Sequence, residues 1–187
     1  MEKKKGRLIV LSGPSGVGKG TVRNALMEDP DLNLFFSVSM TTRAPRKGEM
    51  DGREYYFVTR EQFEANIQKG NFLEWAEFVG NYYGTPKDKV EAMLEEGKNV
   101  LLEIEVQGAK QVMTNCPSCV SIYLMPPDFA ALEERIRSRC TEPEDVIQRR
   151  LAKAKSEMEQ GKTYGHMVCN KNVDVAAKEI ANIIKGA

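Results

Sequence analysis

Lys19 lies in the run Gly13-Pro14-Ser15-Gly16-Val17-Gly18-Lys19-Gly20-Thr21, the stretch whose residue types and spacing most clearly describe a chemical device. A G-x-x-x-x-G-K-[ST] loop turns its backbone N–H groups onto phosphate oxygens, and its lysine reaches the terminal phosphates. Gly13, Gly18 and Lys19 fit, whereas Gly20 stands where a magnesium-binding hydroxyl is expected. Thr21 offers a hydroxyl one position on, about 100° around a helix axis, and is not an equivalent substitute. A second cluster is cationic: Arg43 and Arg46 flank a proline-stiffened turn within the hydroxyl-rich segment Ser37 to Glu49. The planar guanidinium fork suits bidentate phosphate recognition, although solvated surface charge explains this segment equally well on its own. A third group is anionic. Glu103 and Glu105 end the apolar run beginning at Leu101, and in a strand such spacing puts both on one face. Ligands of open α/β sheets sit at that carboxyl edge; two solvent-facing glutamates are the plainer alternative.

Positioning these groups requires particular elements. Leu8 to Leu11 is a continuous apolar run, as a buried parallel strand demands, and Thr21 to Met27 reads as a helix with Val22, Ala25 and Leu26 on one face. That strand–turn–helix order aims amide groups and a positive dipole end at an anion. Further strands are expected at 99–105 and 119–125, with a short one at 167–169. Helices are expected at 87–96, 128–139, 143–160 and 173–184. The alternation argues for an α/β fold, a three-layer P-loop core around a parallel sheet. Residues 34–85 break the rhythm, being rich in aromatic, β-branched and turn residues with a helix expected only at 61–68, and read as a mostly β insertion. Residues 128–159 read as a helical hairpin dense in arginine and glutamate. The core is then 1–33, 86–127 and 160–187.

The 187 residues suffice for one domain with a sizeable core, and 27 basic residues balance 27 acidic ones. Net neutrality points away from a general nucleic-acid or anionic-membrane surface. No apolar run approaches the roughly 20 residues that span a bilayer, and the charged Met1–Lys5 run reads as a solvated tail. Cys116, Cys119, Cys140 and Cys169 suit a reducing compartment, so a cytoplasmic setting is expected. Cys116-Pro117-Ser118-Cys119 is formally a C-x-x-C, but no second pair follows and His166 is the lone histidine, so structural thiols are expected.

Five blocks then go beyond a generic phosphate loop: GPSGVGKG at 13–20, SVSMTTRAPRKGEMDGREYYFV at 37–58, FLEWAEFVGNYYGT at 72–85, LLEIEVQGA at 101–109, and RIRSRCTE with IQRRL at 135–151. In order and spacing, over nearly the whole chain, they resemble guanylate kinases, which move a phosphoryl group from ATP to GMP. The resemblance implies that residues 34–85 are a GMP-binding insertion and 128–159 a mobile lid. It implies ATP contacts from Gly13, Pro14, Ser15, Gly16, Val17, Gly18, Lys19, Gly20 and Thr21, with Asn170 near the adenine. Arg43, Arg46, Tyr55 and Tyr83 would hold the GMP phosphate, while Ser39, Glu74 and Thr85 would read the guanine edge. Tyr56 and Tyr82 are equally plausible on aromatic chemistry alone. Guanine offers N1–H and N2–H₂ as adjacent donors, which an ionised carboxylate accepts; adenine lacks that pair. Glu105 would contact guanine or position GMP, and Glu103 would hold Mg²⁺ through water. Many members of that family carry aspartate at one or both of these positions. Arg135, Arg139 and Arg150 match lid arginines that stabilise charge on the transferring group together with Lys19 and Arg43, and Arg137 and Arg149 read as solvated helix charges. Cys140 departs from the glycine usual after the second lid arginine.

The expected function is therefore ATP-dependent phosphorylation of GMP, with dGMP as a further acceptor, in purine nucleotide metabolism. Small nucleotides would be the only partners implied. The alternative is a catalytically silent guanylate-kinase-like binding module, against which Lys19 and the lid arginines argue. A switch GTPase fails because Asn170-Lys171-Asn172-Val173-Asp174 places the aspartate one residue late for N-K-x-D. Gly20 points the same way, since adenylate kinases also carry G-K-G-T.

Overall fold

The fold was analysed in a computed structural model that describes residues 5–78, 80–139 and 144–187. Nine strands and seven helices follow one another in two sheets among those residues. The large sheet joins β1 (Leu8–Ser12), β2 (Leu34–Phe36), β7 (Asn99–Glu103), β8 (Val120–Met125) and β9 (His166–Cys169) in the order β2-β7-β1-β8-β9. All four pairings are parallel. β1 shows why its sequence is continuously apolar: both of its faces are covered. Ile9 and Leu11 pack with Val22 and Leu26 of α1 (Lys19–Met27) and Ile180 and Ile184 of α7 (Val173–Gly186). Leu8 and Val10 point the other way, onto Val90 and Leu94 of α3 (Lys87–Glu95) and Ala109 and Val112 of α4 (Val106–Asn115). The result is the expected three-layer core.

The smaller sheet holds β3 (Met40–Thr41), β4 (Tyr56–Phe57), β5 (Phe72–Phe78) and β6 (Asn81–Pro86) in the order β4-β3-β6-β5. α2 (Arg60–Gln68) packs on it, opened by a capping box in which Thr59 and Gln62 exchange side-chain and backbone bonds. Phe63 of α2 is fully buried and stacks on Phe72 at 4.4 Å and Tyr82 at 5.2 Å. β5 is an edge strand, and its exposed backbone is met by a side chain. The Gln111 carboxamide accepts from Trp75 N–H at 3.3 Å and donates to its carbonyl at 2.9 Å, fastening the small sheet to α4.

Three expectations are corrected here. The segment expected to leave the core at residue 34 first adds β2 to the large sheet, and only from Met40 does it enter the small one. The strand expected over 99–105 stops at Glu103, and Glu105 instead occupies the N-cap of α4, so the two carboxylates share no strand face. α4 itself was not expected, because Gly108 interrupts its first turn and no side chain caps it. The helical hairpin is α5 (Phe129–Arg139) and α6 (Glu144–Met158), stapled by Arg137, which reaches Glu144 at 2.8 and 3.0 Å and Glu133 at 2.8 Å. Cys140 lies outside the described residues, as does the Arg139 side chain.

Truncating Phe63 to alanine removes both stacking partners at once. It should cost about 3–5 kcal/mol in urea unfolding, with little effect on the large sheet's far-UV signature.

Candidate active site

The glycine-rich loop leaves the carboxyl end of β1, the central strand, and enters α1. Gly18 caps that helix at φ 99°, and a Cβ there would also come within 2.8 Å of Asn170 Nδ2, so backbone and packing both call for glycine. Lys19 folds back over the loop, donating from Nζ to the Gly13 carbonyl at 2.7 Å and more distantly to that of Pro14. Val17, fully buried, gives its carbonyl to Asn170 Nδ2 at 2.8 Å and to Arg135 of α5 at 3.2 Å. Arg135 also bonds the Asn170 carbonyl at 2.9 Å, so this arginine of the helical hairpin reaches the phosphate loop directly. Arg150 is half-buried on α6, and Thr21 is exposed at the start of α1. The Oδ1 of Asn170 is a buried acceptor that meets no donor among the described residues.

Beside the loop lies a cavity of about 320 Å³ whose walls include Ser39, Tyr55, Glu74, Tyr83, Glu103 and Glu105. Glu74 is its most constrained group. It stands directly opposite Thr85 in the β5–β6 ladder, is 6% exposed, and accepts the Thr85 hydroxyl at 2.6 Å. Its other oxygen lies against α4 so closely that a Cβ on Gly108 would come within 2.3 Å. Burial pushes the Glu74 carboxyl up to about 7, with the Thr85 hydroxyl and amide only partly offsetting that rise. Tyr55 and Tyr83 meet edge to face at 5.9 Å, and Arg43 lies over the Tyr55 ring at 5.4 Å. Burial, reinforced by Tyr83, raises the Tyr55 phenol above its ordinary value and keeps it a neutral hydroxyl. Tyr56 and Tyr82 are occupied elsewhere: Lys89 sits 3.6 Å above the Tyr56 ring, and Arg60 lies over Tyr82 while donating to its hydroxyl. Alternation along β6 separates Tyr82 from Tyr83.

Glu49 is a site residue that sequence reasoning passed over. It takes the Arg43 fork with both oxygens, at 2.9 and 3.0 Å, and also accepts the Arg46 amide at 2.7 Å. A carboxylate thus holds open the bidentate geometry that a phosphate would use, while the Arg46 side chain is exposed. The K-G-E following Arg46 was the available signal. Gly108, Lys153 and Glu157 were missed as well, since each matters through a tertiary contact.

Among the described residues, no cluster of three His, Cys, Asp or Glu side chains could cage a metal. Mg²⁺ does not require one, because it keeps several waters and is held by one or two carboxylates plus substrate phosphates. Glu103 fits that donor set. It ends β7 beside the loop, paired with Arg23 at 3.0 Å, and its Oε2 is buried without an aligned hydrogen bond. A Cβ at Gly20 would lie an ordinary 3.8 Å from Glu103 Oε1, so the missing hydroxyl is not forced by crowding. At Glu105, desolvation against the cavity wall would raise the carboxyl, but Lys19 and Lys153 outweigh it and hold the group below its ordinary value.

This combination of a phosphate loop and an adjoining acid-lined cavity can be set beside known proteins. The guanylate kinase family model matches residues 5–187. The chain belongs to the guanylate kinase family. It is 55% identical over 184 residues to a guanylate kinase of Halalkalibacterium halodurans, covering 98% of this chain and 90% of that one. A Bacillus cereus guanylate kinase is 53% identical over 186 residues, covering 100% and 91%. The crystal structure of guanylate kinase from Anaplasma phagocytophilum superposes with a TM-score of 0.80 at 37% identity, covering 100% of this chain and 88% of that one. The chain is thus an ATP-dependent nucleoside monophosphate kinase, a transferase of a class that generally needs a divalent metal.

The Glu74 carboxyl carries a pH signature testable without substrate. The folded state binds this proton more tightly than the unfolded chain does, so the contribution of Glu74 to stability is fully present below about pH 4.5 and is lost as pH rises through about 7. The group is almost fully buried, and the shift corresponds to an order of 3 kcal/mol. Urea midpoints of the wild type and Glu74→Gln should converge at low pH and separate between those values, with the variant flatter. Parallel curves would deny the shift.

Proposed function

We propose that the enzyme transfers the γ-phosphoryl group of ATP to GMP, and also to dGMP, with the acid-lined cavity as the acceptor site. The carrying observation is Glu74: a carboxylate buried without a cation, satisfied on one side by Thr85 and open to the cavity on the other. Guanine supplies the missing partners, two adjacent N–H donors, which favour the ionised form and draw its pKa down on binding. Ser39 and Glu105 line the same cavity and would complete the guanine contacts. At the other end, the GMP phosphate would take the Arg43 fork from Glu49, aided by Tyr55, Tyr83 and Arg46. The contacts proposed here fall on the base and the phosphate, which GMP and dGMP share.

In the donor half, the loop amides from Ser15 to Thr21 and Lys19 would hold the ATP phosphates. The unpaired Asn170 Oδ1 would suit the adenine amino group. Glu103 would hold Mg²⁺ through water, and the metal when bound would neutralise phosphate charge. A GMP phosphate oxygen is already a competent nucleophile: it bonds to the γ-phosphorus as the bond to the β-bridging oxygen breaks, leaving ADP and GDP. No side-chain base is needed, so the protein's contribution is alignment and charge stabilisation by Lys19, Arg43, Arg135, Arg139 and Arg150. Closing the small sheet (roughly residues 40–85) and the 128–159 lid over the core would exclude water that competes for the phosphoryl group. The free thiols Cys116, Cys119 and Cys169 favour a reducing, cytoplasmic setting.

Coupled measurement of ADP release should show turnover with GMP and dGMP, little with AMP, and little without acceptor. Binding of GMP without turnover would replace this reading with that of a silent binding module. Glu74→Gln leaves guanine facing a carboxamide and should lower the GMP/AMP ratio in kcat/KM by roughly tenfold or more. An unaltered ratio would remove Glu74 as the base reader. Lys19→Ala should lower kcat on the order of 10²-fold while GMP binding stays nearly intact, and unchanged kcat would refute its role.

A further inference from the structure

A line of four polar groups runs from the acceptor cavity to the phosphate loop. Lys153 Nζ lies 2.8 Å from Glu105 Oε2 and 3.4 Å from Glu157 Oε1. The second oxygen of Glu157 accepts the Ser15 backbone N–H at 3.3 Å. Lys153 and Glu157 stand one helical turn apart on α6, which places them on the same face. Glu157 is 7% exposed, and its carbonyl takes the Tyr123 hydroxyl, which pins this end of α6 onto β8. Among the described residues that line the cavity Lys153 is the one cation, in a wall that also holds Glu77, Glu103, Glu105 and Glu157.

The arrangement sets up a competition. A carboxylate occupies an amide of the loop that must receive phosphate, and one ammonium group is divided between that carboxylate and Glu105. A guanine that donates to Glu105 weakens the hold of Glu105 on Lys153. The ammonium then transfers toward Glu157, neutralises it, and draws it from the Ser15 amide.

We propose that Lys153 and Glu157 are positioning residues that couple the two nucleotide sites, so that an occupied acceptor cavity strengthens ATP binding at the loop. The proposal rests on the acceptor-site reading above.

Calorimetric titration of the full-length protein with Mg²⁺ and adenosine 5′-(β,γ-imido)triphosphate, with and without saturating GMP, tests it. In the wild type GMP should tighten analogue binding roughly fivefold or more, and in Lys153→Met and Glu157→Gln that ratio should fall to about 1. The double variant should lose no more than either single one, as expected of members of one linkage. Lys153→Arg, which keeps the charge, should retain the effect. A wild type without coupling, or single variants that keep the wild-type ratio, would overturn the proposal. So would variants that weaken the analogue equally with and without GMP, which would reduce Glu157 to loop support. GMP titrated alone separates the two levels: no binding would sink the acceptor reading and this proposal with it, whereas binding without coupling would sink only the proposal. Lys153 is partly exposed, so Lys153→Met decides the matter if Glu157→Gln fails to fold.

Discussion

The buried carboxyl group of Glu74 is the constraint around which the proposed acceptor cavity is organised. Thr85 is its partner within the ladder, through a short hydroxyl hydrogen bond and its amide, and α4 approaches the other oxygen with a residue that has no side chain. Desolvation outweighs those bonds and pushes the carboxyl up to about 7. The fold tolerates this because the cross-strand register of β5 and β6 fixes Glu74 opposite Thr85, while the Gln111–Trp75 clasp fixes β5 against α4. On the proposed reading, a guanine edge would offset that desolvation on binding, and a base lacking two adjacent donors would not.

The polarity of the whole cleft follows the same logic. Carboxylates line the cavity, whereas Arg43 stacks on its tyrosine wall and Lys19 crowns the neighbouring loop. A ligand with donors at one end and phosphate at the other fits only one way round. Each group proposed to read phosphate is held by a substitute within the protein: Glu49 fills the Arg43 fork, loop carbonyls hold Lys19, and Glu157 sits on the Ser15 amide. The substitutes keep these groups in the geometry of their task at modest cost, since each is a partner that phosphate, carrying more charge, can displace.

Much of this was legible in the sequence because it is encoded locally. The phosphate loop is one contiguous motif, the apolar run at Leu8–Leu11 declares a doubly covered strand, and the spacing of Arg43, Arg46, Tyr55, Glu74 and Tyr83 follows the family's blocks. What escaped was encoded by contact between distant segments. α4 begins without a capping side chain and carries a glycine in its first turn, both of which argue against a helix locally. The reason for that glycine is Glu74, more than thirty positions earlier in the chain. The displaced strand end has a similar origin. Alternation would carry β7 on to Glu105, but parallel pairing to β1 runs only from Leu8↔Val100 to Leu11↔Glu103, because β1 gives way there to the phosphate loop. β2, expected in the insertion, was misplaced because three half-buried residues carry too little pattern to say which sheet they join.

The charge arithmetic of the lid explains why a neutral chain can still handle two polyanions. Arg137 joins Glu133 and Glu144 across α5 and α6, and Arg149 pairs with Asp145 within α6, so these charges are balanced inside the hairpin itself. Arg135 is different, because it bonds the carbonyls of Val17 and Asn170, groups of the proposed donor site. Lys153 is different in the same sense at the acceptor side. The lid is thus tied to the core through the very residues that would surround the nucleotides. On the proposed reading, a rearrangement of those residues by a bound ligand would be felt by the hairpin at once, through α5 at the phosphate loop and through α6 at the cavity. Closure driven from both ends in this way would assemble the charge-stabilising groups only when both substrates are in place, the condition for transferring a phosphoryl group to GMP rather than to water.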